Sequence, residues 1–165
     1  MKAFLRDHPY LFTGIYFLVT GAVYWLMLGW NRPPQLVPCS LVICAVTGWY
    51  FWLCYMLLQQ ERFTPGTILN VTAFTLITLT VLLLCYATLF RIGGISCTVV
   101  GFDTNEKLDS LYFSGVTWTT VGYGDFVPKP GLSRFCAVVE AIHSYMFLAV
   151  FVSLLIHMLT HLPKR

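Results

Sequence analysis

Thr120-Val121-Gly122-Tyr123-Gly124-Asp125 sets two glycines, two hydroxyls and an acid inside a chain that is 58% hydrophobic. Glycine enters left-handed backbone angles without a side-chain clash, whereas Val121 and Tyr123 would find them costly. Alternating ordinary and left-handed residues turns successive C=O groups to one side, while Val121 and Tyr123 point away to pack. The Thr120 hydroxyl adds one more oxygen at the inner end of the row. In one chain such a row is an unsatisfied polar edge. Around an axis, four chains would close it into stacked rings of oxygens able to replace an ion's water shell.

The flanking residues have to hold that row in place. Upstream, Asp109 or Ser110 predicts a helix cap, and the apolar and aromatic residues up to Thr119 predict a helix of about three turns. So short a helix cannot cross a bilayer, which implies a re-entrant segment. Arg91–Leu108 reads as an exposed turret before it. Uncharged stretches at Tyr10–Trp30, Leu36–Leu58 and Thr67–Phe90, with Phe135–Leu159, are long enough to span a membrane, at roughly 20 residues each. No segment alternates with the period of a barrel strand, so the expectation is an all-α membrane protein with four spans.

Composition agrees. Only 10% of residues are charged, against about a quarter in an ordinary soluble domain. The net charge of +3 is weak and scattered, which argues against a nucleic-acid partner. The first stretch has a basic start in Lys2 and Arg6, but it is too long for a signal-peptide core and no small-residue cleavage site follows Trp30, so it reads as a retained span. Of six cysteines, Cys39, Cys44, Cys54, Cys85 and Cys136 fall in or beside spans, where a thiol is usually a small buried hydrophobe. Cys97 lies in the loop, as a free thiol or a disulfide partner to a neighbouring subunit.

Asp109-Ser110-Leu111-Tyr112-Phe113, then Thr119-Thr120-Val121-Gly122-Tyr123-Gly124-Asp125 and Pro128, resembles the pore loop of tetrameric potassium channels. That loop is the standing example of carbonyl-ring selectivity. The resemblance covers about Thr67–Leu159 and is close to the bacterial two-transmembrane pore module, with Arg134 and Glu140-Ala141 fitting its inner helix. It implies a homotetramer of this chain with three further copies, embedded in lipid, conducting K+ as the permeant ion through Thr120, Val121, Gly122, Tyr123 and Gly124. Metal coordination falls to the carbonyls of Thr120, Val121, Gly122 and Tyr123 and to the Thr120 hydroxyl. It further implies a filter at the outer side, a multi-pass protein of a plasma or inner membrane, and both termini in the cytoplasm. The basic residues are too evenly divided to decide orientation themselves. By this division, residues 1–66 hold two helices of unknown role and residues 67–165 the pore domain.

Several residues keep two readings. Asp125 either buttresses the filter or is a solvated mouth residue. Some relatives brace that aspartate from the pore helix; the matching positions here hold Phe113 and Val116, leaving Tyr112 as the nearest donor and a filter expected to collapse more readily at low potassium. Thr119 and Glu140 are support candidates. Glu140 and His143 are helix neighbours, and an acid within a span is either structural behind the filter or functional. Leu148, Val152 and Ile156 share one face, lining the inner pore as a gate or facing other helices. Ser144 stands where the family has a hinge glycine. His143, His157 and His161 are pH-sensing candidates, with interfacial anchoring the alternative for the last two.

The first two spans carry no charge, so neither is an arginine-rich voltage sensor. Trp25, Trp30, Trp49, Tyr50 and Trp52 read as packing and interfacial anchors. No nucleophile–base pair, metal cluster or nucleotide loop points to an enzyme, and no small-molecule substrate is expected. Two rivals remain. A potassium transporter subunit usually strings several degenerate loops along one chain, unlike the single complete copy here. A non-conducting modulatory subunit would co-assemble with other pores.

Overall fold

The computed structural model describes residues 36–60, 63–99 and 106–162. The expected first span, Tyr10–Trp30, lies outside them. Among the described residues three helices are long and apolar enough to cross a membrane. They are α1 (Leu36–Leu58), α2 (Pro65–Gly93) and α4 (Leu132–Thr160). Between α2 and α4 come β1 (Ile95–Cys97), the short helix α3 (Glu106–Trp118) and β2 (Phe126–Pro128).

Local chemistry accounts for most boundaries. Thr64 caps α2, its hydroxyl accepting from the Thr67 N–H at 3.2 Å, and Pro65 opens the first turn, where its missing N–H costs nothing. The helix stops at Gly94, whose φ of 83° turns the chain while its N–H still reaches Phe90 O at 2.7 Å. Arg91 therefore sits in the last turn of α2, where a cation favours the partly negative helix end. The exposed turret is correspondingly narrower than Arg91–Leu108, because helix takes its first residues and its last.

Helix α3 begins at Glu106, three residues ahead of Asp109 and four ahead of Ser110, the expected caps. Glu106 and Asp109 both occupy its first turn, favourable beside the positive helix end, and the Ser110 hydroxyl bonds inward to Glu106 O at 2.7 Å. Its 13 residues give about 20 Å at roughly 1.5 Å per residue, too little to span.

A two-stranded antiparallel ribbon departs from the all-α expectation. It pairs Ile95 with Pro128, Ser96 with Val127 and Cys97 with Phe126. Three-residue strands carry no period that could be read along the chain. The ribbon ties the end of α2 to the segment just after Asp125.

Helix α3 packs between α2 and α4, and α1 lies along the same pair. One cluster joins Tyr50, Cys54 and Leu57 of α1 to Leu82, Phe147, Leu154 and Met158. Another surrounds α3 with Tyr86, Leu89, Phe90, Phe126 and Cys136. Thr75 and Thr78, buried on α2, satisfy their hydroxyls on the carbonyls of Val71 and Phe74. All six cysteines are free; Cys44 is exposed, contrary to the buried expectation, and Cys97 is half-buried.

Where α2 meets α4 the fit is tight. A Cβ at Gly93 would overlap the Ser133 hydroxyl and stand 3.0 Å from the Ser133 backbone nitrogen. Gly93→Ala is expected to cost about 1–3 kcal/mol by overpacking. It should lower the melting temperature of detergent-solubilised protein. Gly48→Ala, where an added Cβ meets nothing, should not.

Candidate functional site

The end of α3 winds directly into Thr120–Asp125. Thr119 N–H bonds Gly115 O at 3.0 Å, Thr120 N–H bonds Thr117 O at 3.1 Å, and Val121 N–H bonds Val116 O at 3.0 Å. The chain thus leaves the helix with its N–H groups still paired. Beyond this point φ is positive at alternate residues: 58° at Thr120, 53° at Gly122 and 80° at Gly124. Glycine accounts for two of the three. Thr120 is the single non-glycine residue with positive φ among the described residues, a conformation that costs a branched side chain about 1–2 kcal/mol. Nothing in the residue type announced it. Strain at such a position is held only where the surroundings over-determine it.

The consequence is a run of four consecutive carbonyls, from Thr120 to Tyr123, that accept no hydrogen bond from any described residue. Val121 and Tyr123 are exposed in the single chain, Tyr123 at 71%.

The Asp125 end of the run is pinned from three directions. The Tyr112 hydroxyl, on α3, donates to Asp125 Oδ2 at 2.7 Å, and Phe126 N–H donates to Asp125 Oδ1 at 3.0 Å. From the turret, Thr98 N–H reaches Asp125 O at 2.8 Å, and the Thr98 hydroxyl lies 2.9 Å from Gly124 O and 3.0 Å from Asp125 O. Phe113 instead packs edge-on against Phe90 at 4.7 Å between centroids. Asp125 therefore has a side-chain donor on α3, one position before Phe113. Bonded to a carboxylate, the Tyr112 hydroxyl is pushed up to about 12 from the usual 10.0. The bond's contribution is complete below the ordinary tyrosine value and lost as pH rises through the raised one.

Behind α3, Ser114 joins three helices. Its hydroxyl lies 2.5 Å from Glu140 Oε1 on α4 and 3.1 Å from Leu83 O on α2. Glu140 is fully buried, and its Oε2 has no partner among the described residues. Thr119, another support candidate, spends its hydroxyl on Gly115 O at 2.8 Å, within its own helix end.

The remaining candidates fall into separate places. His143 is buried behind α3, between the hydroxyls of Tyr86 at 3.1 Å and Thr47 at 3.2 Å. The rings of His157 and His161 lie tilted by 39° with centroids 4.3 Å apart at the far end of α4, where His157 Nε2 is 3.2 Å from Gln60 O. Leu148, Val152 and Ile156 are all exposed. Ser144 leaves α4 unbroken, its hydroxyl donating to Ala141 O at 2.8 Å. Thr98, Ser114, Thr47 and Tyr86 escaped the sequence reading because serine, threonine and tyrosine are all common in apolar helices and their loops. No group of three or more metal-ligating side chains occurs among the described residues.

A family model described as Ion channel matches residues 81–161, just under half of the chain, from the middle of α2 to the end of α4. Over 55 residues the chain is 44% identical to "Two pore potassium channel a" of Oryza sativa subsp. japonica, covering 33% of this chain and 16% of that protein. Protein LctB of Geobacillus stearothermophilus is 49% identical over 45 residues, 27% of this chain and 33% of LctB. "Two-pore potassium channel 1" of Arabidopsis thaliana is 51% identical over 39 residues, 24% of this chain and 11% of that protein. The chain thus spans no more than 33% of the length of these relatives. No solved structure matches it.

Glu140→Gln keeps an acceptor for Ser114 and should leave the melting temperature near wild type. Glu140→Ala removes that acceptor and opens a cavity, a loss of about 2–4 kcal/mol. Thermal unfolding of the two variants side by side measures the difference.

Proposed function

We propose that four copies of this chain surround an axis as a potassium-selective channel, with Thr120–Gly124 as the filter. One observation carries this reading: the carbonyls of Thr120, Val121, Gly122 and Tyr123 accept no hydrogen bond from any described residue, in a backbone whose φ alternates in sign. Unpaired carbonyls at membrane depth are costly unless they line a water-filled or ion-filled path. Four such rows facing one another supply rings of oxygens for a dehydrated cation moving passively in single file. The relatives whose names read potassium channel support potassium as that ion.

The rest of the chain then takes on roles. Helix α3 directs its partly negative C-terminal end at the central cavity and favours a cation there. Asp125 and Tyr112 brace the outer mouth, and Glu140 steadies α3 through Ser114. The filter faces outward, both termini lie in the cytoplasm, and residues 67–165 form the pore domain. Leu148, Val152 and Ile156 present one exposed face of α4, and rings of such side chains close a pore by dewetting.

Purified protein in liposomes should take up rubidium at channel-like rates and exclude sodium. Slow, saturable uptake would indicate a carrier, and silence a modulatory subunit. Gly122→Ala places a Cβ on a left-handed backbone in every subunit and should cut potassium flux about tenfold or more.

Tyr112→Phe removes the donor to Asp125 while keeping the ring. Its currents should decay faster than wild type when external potassium is reduced to trace levels, and recover when potassium is restored. Bilayer recording of both proteins across a potassium series tests this.

A further inference from the structure

Helix α1 has no part in the proposed pore, yet it is hydrogen-bonded into the region directly behind the filter. The last residue of α3 is Trp118, two positions before the strained Thr120. Its ring lies 5.6 Å from the His143 ring, 5.7 Å edge-on from Phe147 and 6.4 Å from Tyr86. These three walls come from α2 and α4. Helix α1 backs two of them: Thr47 Oγ1 is 3.2 Å from His143 Nε2, and Tyr50 stacks on Phe147 with centroids 4.4 Å apart.

The chemistry at His143 makes this junction directional. A neutral imidazole has one donor nitrogen and one acceptor nitrogen, and a hydroxyl can serve either. With Tyr86 on Nδ1 and Thr47 on Nε2, both nitrogens are satisfied and the ring plane is fixed from both edges. In a buried site each of those bonds also prevents an unpaired polar group. The ring so oriented is the one that faces Trp118.

We propose that α1 is an inner-side buttress of the filter, and that His143 is the positioning residue through which it acts. Thr47 and Tyr86 hold the His143 ring. His143, Phe147 and Tyr86 hold Trp118, and Trp118 sets where α3 hands the chain over to Thr120. The idea rests on the filter reading above, and extends it to a helix that lies before the segment matched by the ion channel family model.

The test uses the full chain in planar bilayers, with two readouts: the potassium-to-sodium permeability ratio, and the rate of current decay after external potassium is withdrawn. Thr47→Val and Tyr86→Phe each delete one hydroxyl and keep the shape, and His143→Phe keeps the ring but neither nitrogen. Each is expected to speed the decay about fivefold, the scale of one net hydrogen bond. In the His143→Phe background, adding Thr47→Val should change nothing more, because both act through the same ring. Leu41→Ala, on an exposed part of α1, serves as the control with wild-type decay.

The permeability ratio and potassium-dependent decay separate positioning from mere folding, since loss of folded protein lowers current amplitude without changing either. Wild-type decay in Thr47→Val and Tyr86→Phe, or full additivity on top of His143→Phe, would overturn the proposal and leave the channel reading intact. A wild-type chain that carries no potassium current would overturn both.

Discussion

A peptide carbonyl cannot be left bare inside a membrane, and this chain carries four in a row that its described residues do not pair. Within the spanning helices, a carbonyl ahead of the last turn has an N–H four residues on to bond it. The exception is bounded by α3 on one side and the ribbon on the other, so the unpaired run cannot relax into helix or sheet. Its backbone is strained at Thr120 by about 1–2 kcal/mol. Such a conformation persists only where neighbouring structure holds it and something else meets the oxygens.

The supports are arranged around the run, with different chemistry on each side. At the Asp125 end they are polar and exposed: Tyr112 on the Asp125 carboxylate, and Thr98 on the carbonyls of Gly124 and Asp125. Behind α3 they are buried: Ser114 on Glu140, and Trp118 among Tyr86, His143 and Phe147. Water competes for bonds at that exposed end and is excluded behind the helix, so the buried contacts are the harder ones to exchange. Breaking an exposed contact frees groups that water can solvate, whereas breaking a buried one strands them.

Much of this is legible in the sequence. Glycines at Gly122 and Gly124 could be assigned left-handed backbone because only their residue type makes it inexpensive, and both have positive φ. Apolar length located the spans containing α1, α2 and α4, although α2 and α4 each run a few residues beyond the apolar windows. Those extra turns are set by Thr64, Gly94 and Gly131, which are capping and turn geometry rather than hydrophobicity. The same limit applies to α3, whose acidic first turn lay hidden in what read as polar loop.

Residue type and local order determined which segments must be buried in lipid and where the backbone is free to invert, since both depend on side chains a few positions apart. Only tertiary packing decided that Thr120 would also invert, that Thr98 would meet Gly124 across 26 positions, and that Thr47 would meet His143 across 96. A hydroxyl advertises no preferred partner along the chain. The helices must first come together and shut out water before one particular pairing becomes better than all others.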